Sequence, residues 1–261
     1  MVFQRVARSL KQQAWSSLFL ELLVVVFGIL IALQVDNWNE HRKRVAEAQE
    51  WRTHILVDLQ ASRSELQGRV DYFQAALRFG ENALVKLQSN RPLSADEAWD
   101  VVLGAFQAGQ IWPYQLTGPS YREAQNAGGM GLVGDETLLT ALAELYDVIA
   151  HDFELVTGGL PKYREMIRER MAWPIQEHIW DADCQETIGT PGDTGYGHIL
   201  VRCKPPPFDD LLQQSVAELR ADKVIQQALV GRLSQLKVSI SSTLRSIERV
   251  DFLVEMMNER P

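Results

Sequence analysis

The chain begins with mixed polar and apolar positions and then enters a nearly unbroken apolar run. Leu18–Val35 reads LFLELLVVVFGILIALQV, and only Glu21 and Gln34 within it are polar. At about 1.5 Å of rise per residue, a helix of this length spans roughly 27 Å, close to the roughly 30 Å hydrocarbon core of a bilayer. Trp15 and Trp38 bracket the run at the levels where amphipathic rings favour the membrane interface, with Asn37 and Asn39 beside the second. A cleaved signal peptide has a shorter apolar region that ends in a small-x-small site, and Ile31–Val35 offers no such site. The pattern therefore predicts a short N-terminal tail over 1–17, one transmembrane helix over 18–35 and a soluble domain over 36–261.

Beyond Trp38 the apolar positions fall at helical spacing almost throughout. Asp36–Glu40 reads as a short polar break or a continuation of the helix. Ile55, Leu59, Leu66, Val70, Phe73, Leu77, Leu84 and Leu87 then recur in steps of three, four or seven, which predicts a long amphipathic helix over 45–88. Ser94 and Glu97 stand at capping-box spacing and open a second helix running to about Gln107. Pro119 suits the first turn of a third, Asp135 starts a fourth and Pro161 a fifth, which Pro174 interrupts. Residues 181–207 read as the one long irregular segment, and no β pattern of any length stands out. A last helix is predicted over 209–258, broken near Arg220. Its seam of Leu229, Leu233, Leu236, Ile240, Thr243, Ile247, Val250 and Val254 alternates steps of four and three, the mark of a helix laid along a partner. The economical partner is the helix over 45–88, running antiparallel. The expected fold is all-α: a transmembrane helix, then an elongated antiparallel helical bundle carrying one irregular cysteine-bracketed loop.

Charge and cysteine content narrow the class. The 261 residues carry a net charge of −8. Setting aside the six basic and three acidic residues before Val45 deepens this to −11 for the soluble part. So acidic a surface argues against a nucleic-acid partner, which calls for a basic face. The basic flanks of the apolar run are nearly balanced, with Arg5, Arg8 and Lys11 on one side and Arg42, Lys43, Arg44 and Arg52 on the other. Cys184 and Cys203, a lone pair across a Gly- and Pro-rich loop, tip the balance, because a lone pair of this kind suits an oxidising compartment. The expectation is an inner-membrane protein with a cytoplasmic N-terminus and a periplasmic domain.

Gly28-Ile-Leu-Ile-Ala-Leu-Gln-Val-Asp-Asn-Trp-Asn-Glu-His-Arg-Lys43 resembles the signature of an uncharacterised family of bacterial single-span membrane proteins. Members of that family carry a glutamate-containing apolar helix that runs into a G-I-L-I-A-L-Q-[IV]-x-N-W-N-E stretch. A looser likeness covers Ser120-Tyr121, Gly128–Val133 and Leu139–Tyr146, with Ala-Gly-Gly where the family has Ser-Gly. Together the two regions make up roughly a fifth of the chain. The resemblance implies membrane anchoring and a helical soluble domain, and brings no catalytic residue or cofactor.

Several groups invite a chemical reading. His178, Asp181, Asp183, Cys184, His198 and Cys203 include good zinc ligands, but their spacing matches no familiar site. A bridge between the two cysteines would preclude thiolate ligation, so disulfide, free thiols and metal are competing readings, with the disulfide foremost. Gly129-x-Gly131-x-x-Gly134 matches a dinucleotide fingerprint by letter, yet no strand precedes it, and it reads as an interhelical turn. Glu21 reads as a carboxylate near the headgroup level, or as a helix-contact or proton-handling group. Trp112, Tyr114 and Tyr121 gather around Pro113 and Pro119, and Trp173 and Trp180 flank the end of the fifth helix; such residues complete a core or line a ligand or partner surface.

No catalytic, cofactor-binding or metal residue is assigned. The function expected from the sequence is a non-enzymatic, membrane-anchored scaffold, accessory or sensor-like protein. Its expected partners are the lipid bilayer and either further copies of itself or another membrane protein. The alternatives are a metal-dependent hydrolase centred on 178–203 and a proton-coupled single-span subunit using Glu21.

Overall fold

The computed structural model describes the backbone of residues 2–89, 91–113, 116–157, 159–188 and 197–259, with side chains from Phe19 onward except that of Thr157. The chain divides into two units, Met1–Arg52 and Thr53–Pro261. Helix α1 (Val2–Gln88) belongs to both. It includes residues 2–17, expected as a tail, and continues through Asp36–Glu40, so that stretch is no break. In the first unit every side chain from Phe19 to Trp38 is exposed. Among the described residues this is the one helix long and apolar enough to cross a membrane.

The second unit is all-α apart from one short hairpin. After α1 come α2 (Ala95–Ala108), α3 (Pro119–Asn126), the single turn α4 (Met130–Val133) and α5 (Glu136–Ala143). A π-helical turn, Glu144–Ile149, leads into α6 (Ala150–Thr157). Then follow α7 (Lys162–Arg170), α8 (Trp173–Asp181), strands β1 (Gln185–Ile188) and β2 (Gly197–Leu200), α9 (Asp209–Ala221) and α10 (Lys223–Glu259). The local signals act as chemistry requires. The Ser94 hydroxyl accepts from the Glu97 amide while the Glu97 carboxylate accepts from the Ser94 amide, Pro119 fills the first turn of α3, and the Asp135 side chain caps α5. Asp222 separates α9 from α10 in an extended conformation, and its carboxylate accepts from the Val224 and Ile225 amides.

The last helix runs antiparallel to residues 53–88 of α1. Arg63 meets Asp251 at 2.6 Å, the Gly80 backbone lies against Leu233 and Leu229, and Glu81 faces Lys237 at 3.6 Å, so rising numbers on α1 meet falling numbers on α10. The α10 seam is buried at Leu229, Leu233, Leu236, Thr243, Ile247 and Val250. Ile240 and Val254 are only half-buried, and Leu253, Met256 and Met257 finish the seam instead. A strict 3.5-residue repeat drifts around a helix that turns every 3.6 residues, so the buried stripe moves off it by the end.

Helix α2 lies at the centre of the core. Ten of its fourteen residues are buried, and Trp99 is completely enclosed. Gly104 allows the close approach of α1: a Cβ there would stand 2.5 Å from the Phe79 carbonyl oxygen. Three arginines gather at the C-terminal end of α2, where unpaired carbonyls and the helix dipole favour cations. Arg232 donates from Nε to the Ala108 carbonyl at 2.9 Å and from Nη2 to Gln110 at 2.8 Å. Arg164 donates to the Gly109 carbonyl and to Gln110 Oε1, and Arg168 stacks over Phe106. Burial pulls Arg232 and Arg168 each down to about 10.

The segment expected to be irregular holds the hairpin, a correction to the strand-free reading. β1 and β2 pair antiparallel with Gln185 opposite Leu200 and Ile188 opposite Gly197. Cys184 and Cys203 are joined in a disulfide, with Cα atoms 4.8 Å apart. Asp100 of α2 anchors the chain leaving the hairpin, accepting from Lys86 at 2.6 Å and from Arg202 at 2.7 Å. Burial alone would raise the Asp100 carboxyl, but the Lys86 and Arg202 hydrogen bonds outweigh it and hold the group below its ordinary range. A carboxyl with a depressed folded pKa contributes stability above its unfolded value and loses it as pH falls through the folded one. Asp100→Asn is therefore expected to lower the unfolding midpoint near neutral pH and to flatten its decline towards acid. Urea titrations of both proteins between pH about 7 and about 3 measure this.

Candidate functional site

A cleft of about 480 Å³ opens between α1 and the hairpin. One wall is a stripe of α1, with Gln60, Ser64, Gln67 and Asp71 at steps of three or four, so that they share a face. The opposite wall is Ile188 with the β2 residues His198 and Leu200. Tyr72 and Trp112 form the floor between them.

Trp112 is held from several sides. Its indole lies 3.6 Å from the place a Cβ at residue 68 would occupy, so Gly68 lets the ring rest on the helix surface. The Arg69 guanidinium sits 4.3 Å from the indole ring centre. Arg69 is almost wholly buried, and its Nη1 donates to the Glu65 carboxylate at 2.7 Å and to the Glu65 carbonyl at 2.9 Å. Tyr72 and His198 meet the indole edge-on, with ring centres 5.5 and 5.1 Å away. Burial pushes the Tyr72 hydroxyl up to about 12, so it stays protonated and donates, at 3.4 Å to the Ile111 carbonyl. Tyr72 is almost wholly buried, so the half-buried Trp112 is the aromatic surface this floor offers to a small ligand.

The hairpin wall is held from α2. Trp99 Nε1 donates to the Cys203 carbonyl at 2.9 Å, and Gln107 Nε2 donates to the Cys184 carbonyl at 2.8 Å. One buried helix thus grips both ends of the bridged segment.

The sequence-predicted residues do not assemble into one site. Trp112 lines the cleft, whereas Tyr114 lies outside the described residues. Tyr121 is buried, stacked on Tyr146 with its hydroxyl 3.3 Å from an Asp147 carboxylate oxygen, so of the two readings it takes the core one and not the ligand or partner surface. Trp173 and Trp180 are exposed, so neither completes a core. Trp38 is exposed beneath the Arg42 guanidinium, Arg42 donates to Asn39 at 3.4 Å, and Asn37, Glu21 and Gln34 are exposed. Trp15 lies outside the described side chains. The residues considered for zinc are dispersed: His178 meets the Lys204 carbonyl and packs on Trp99, His198 packs on Trp112, and the cysteines are bonded to each other. Among the described residues no three His, Cys, Asp or Glu side chains gather as a metal site.

Sequence reading missed the α1 stripe, because polar residues at helical spacing look like a solvated face. Comparison with family models, curated proteins and solved structures finds no match for this chain.

Proposed function

We propose that this protein is a non-enzymatic, single-pass membrane protein whose helical domain acts as a ligand sensor or accessory subunit. The observation that carries the reading is the apolar stretch of α1, exposed at every side chain from Phe19 to Trp38. Apolar surface of that extent is costly in water and needs lipid or protein around it. The likeness of Gly28–Lys43 to a single-span bacterial family supports the same reading. The disulfide supports a domain in an oxidising compartment, hence a cytoplasmic N-terminus, a periplasmic domain and an inner-membrane anchor. The Trp112 cleft supplies a place for a small ligand. Signal output then falls to a partner, either a second copy or another membrane protein.

Topology is the decisive test. The native cysteines are bonded and buried, so the label belongs on a third cysteine at an exposed position, Val224→Cys. In cells with a permeabilised outer membrane, a membrane-impermeant maleimide is expected to modify this cysteine without lysis. Modification only after lysis overturns the orientation, and recovery of the chain in the soluble fraction overturns the anchor.

A further inference from the structure

A second cavity, independent of the cleft, opens where the end of α6 and the start of α7 meet α10. It encloses about 380 Å³, within the range of small-molecule sites. Its lining is mixed: Ser234 and Gln235 are polar, while four apolar lining residues, Leu155, Val156, Leu160 and Val238, remain exposed. Its polar groups differ in kind from the rest of this acidic chain. Arg232 and Lys162 line it, Ser239 adds a hydroxyl, and no acidic residue stands among its lining.

Arg232 is almost wholly buried yet has no carboxylate partner. Among the described residues, no ion pair joins Arg164, Arg168 or Arg232 to an acid. Arg232 and Arg164 share the carbonyls at one helix end and Arg168 reaches the Gln110 amide oxygen and the Phe106 ring instead, so three cations meet roughly half an elementary charge of compensation. A buried charge without full compensation is costly, and a guanidinium offers five N–H donors, of which Arg232 uses two on the Ala108 and Gln110 carbonyls. An anion at the cavity's inner end would complete the balance, and an apolar tail would cover the exposed rim.

We propose that this cavity binds a single-chain amphiphile with one carboxylate, a medium-chain fatty acid, its head against Arg232 and Lys162 and its chain across Leu155, Leu160 and Val238. A guanidinium suits a carboxylate through paired N–H donors, and the lysine adds a point charge at the mouth. A neutral amphiphile would fill the walls but leave the arginines uncompensated, so charge sets the selectivity.

The test uses the full chain in nanodiscs of phosphatidylcholine and a decanoate carrying a photoreactive diazirine, with adducts mapped by mass spectrometry. Adducts are expected on Leu155, Leu160 or neighbouring residues and on α10 near Val238, and unlabelled decanoate competes them away. Val238→Asp places a charge on the exposed rim without touching the core and is expected to cut this labelling about tenfold, because a carboxylate is poorly tolerated beside an acyl chain. The matching diazirine alcohol is expected to label the cavity about tenfold less than the acid does. Labelling confined to the apolar stretch of α1, equal labelling by alcohol and acid, or labelling untouched by Val238→Asp overturns the proposal. None of these outcomes bears on the topology result.

Discussion

Trp99→Ala is expected to cost about 3–5 kcal/mol of folding stability, the usual range for emptying a fully enclosed tryptophan site. Trp99 has no exposed surface, so its loss leaves a cavity in the helix that everything else packs around. The damage extends beyond volume. Its indole N–H serves the Cys203 carbonyl, and without it that buried acceptor has lost a donor. Trp99→Phe separates the two contributions, since it keeps most of the volume and removes the donor; about 1–3 kcal/mol is expected from it. Urea unfolding followed by far-ultraviolet circular dichroism measures both. Equal losses from the two variants would show that the hydrogen bond, and not the packing, dominates at this position.

Removing the bridge with a Cys184→Ala, Cys203→Ala pair is expected to cost about 3 kcal/mol, the loop-closure value for roughly 20 residues. Alanine is the right replacement because both sulfurs are buried, and serine would add an unpaired hydroxyl. The effect should be local as well as global. All four β1 residues are exposed, so the hairpin has little core of its own and depends on the bridge and on the two carbonyl bonds from α2. Loss of the bridge is therefore expected to raise amide exchange in 185–188 and 197–200 by more than in α2 or α10. Uniform acceleration across the domain would mean that the hairpin and the bundle unfold as one unit.

Much of this architecture is written in short-range signals. Ser94 and Glu97, Pro119, Asp135 and the break before α10 act through backbone groups a few residues away, so spacing alone locates them. The α10 seam is legible for the same reason until helical drift takes it off the heptad. The hairpin was hidden because two four-residue strands are too short to display a period, and because pairing Gln185 with Leu200 is a non-local event. Continuity of α1 through Asp36–Glu40 was ambiguous because polarity changes there while helical preference does not. The central place of α2 did leave a signal. AWDVVLGAF is apolar on nearly every face, the composition of a helix surrounded by others. The cleft was only partly legible: Trp112 stood out by type, but its neighbours Arg69, Tyr72 and His198 come from three separate stretches that only the fold brings together.

The π-helical turn at Glu144–Ile149 ties together two distant positions. Such a turn holds an extra residue, so the helix on one side keeps its facing while the chain on the other is one residue longer. Tyr146 lies in that turn, stacked on Tyr121, and its ring occupies the space a side chain at residue 118 would need, 2.5 Å from where a Cβ would stand. Deleting one residue from the turn would rotate one flanking helix by roughly 100° against the other and carry the ring away. Residue 118 would then be released from its restriction to glycine, and α6 would present a different face. The two sites are therefore epistatic in one direction: a change of residue type at 118 is tolerated only after a change of length nearly thirty positions later has moved the ring.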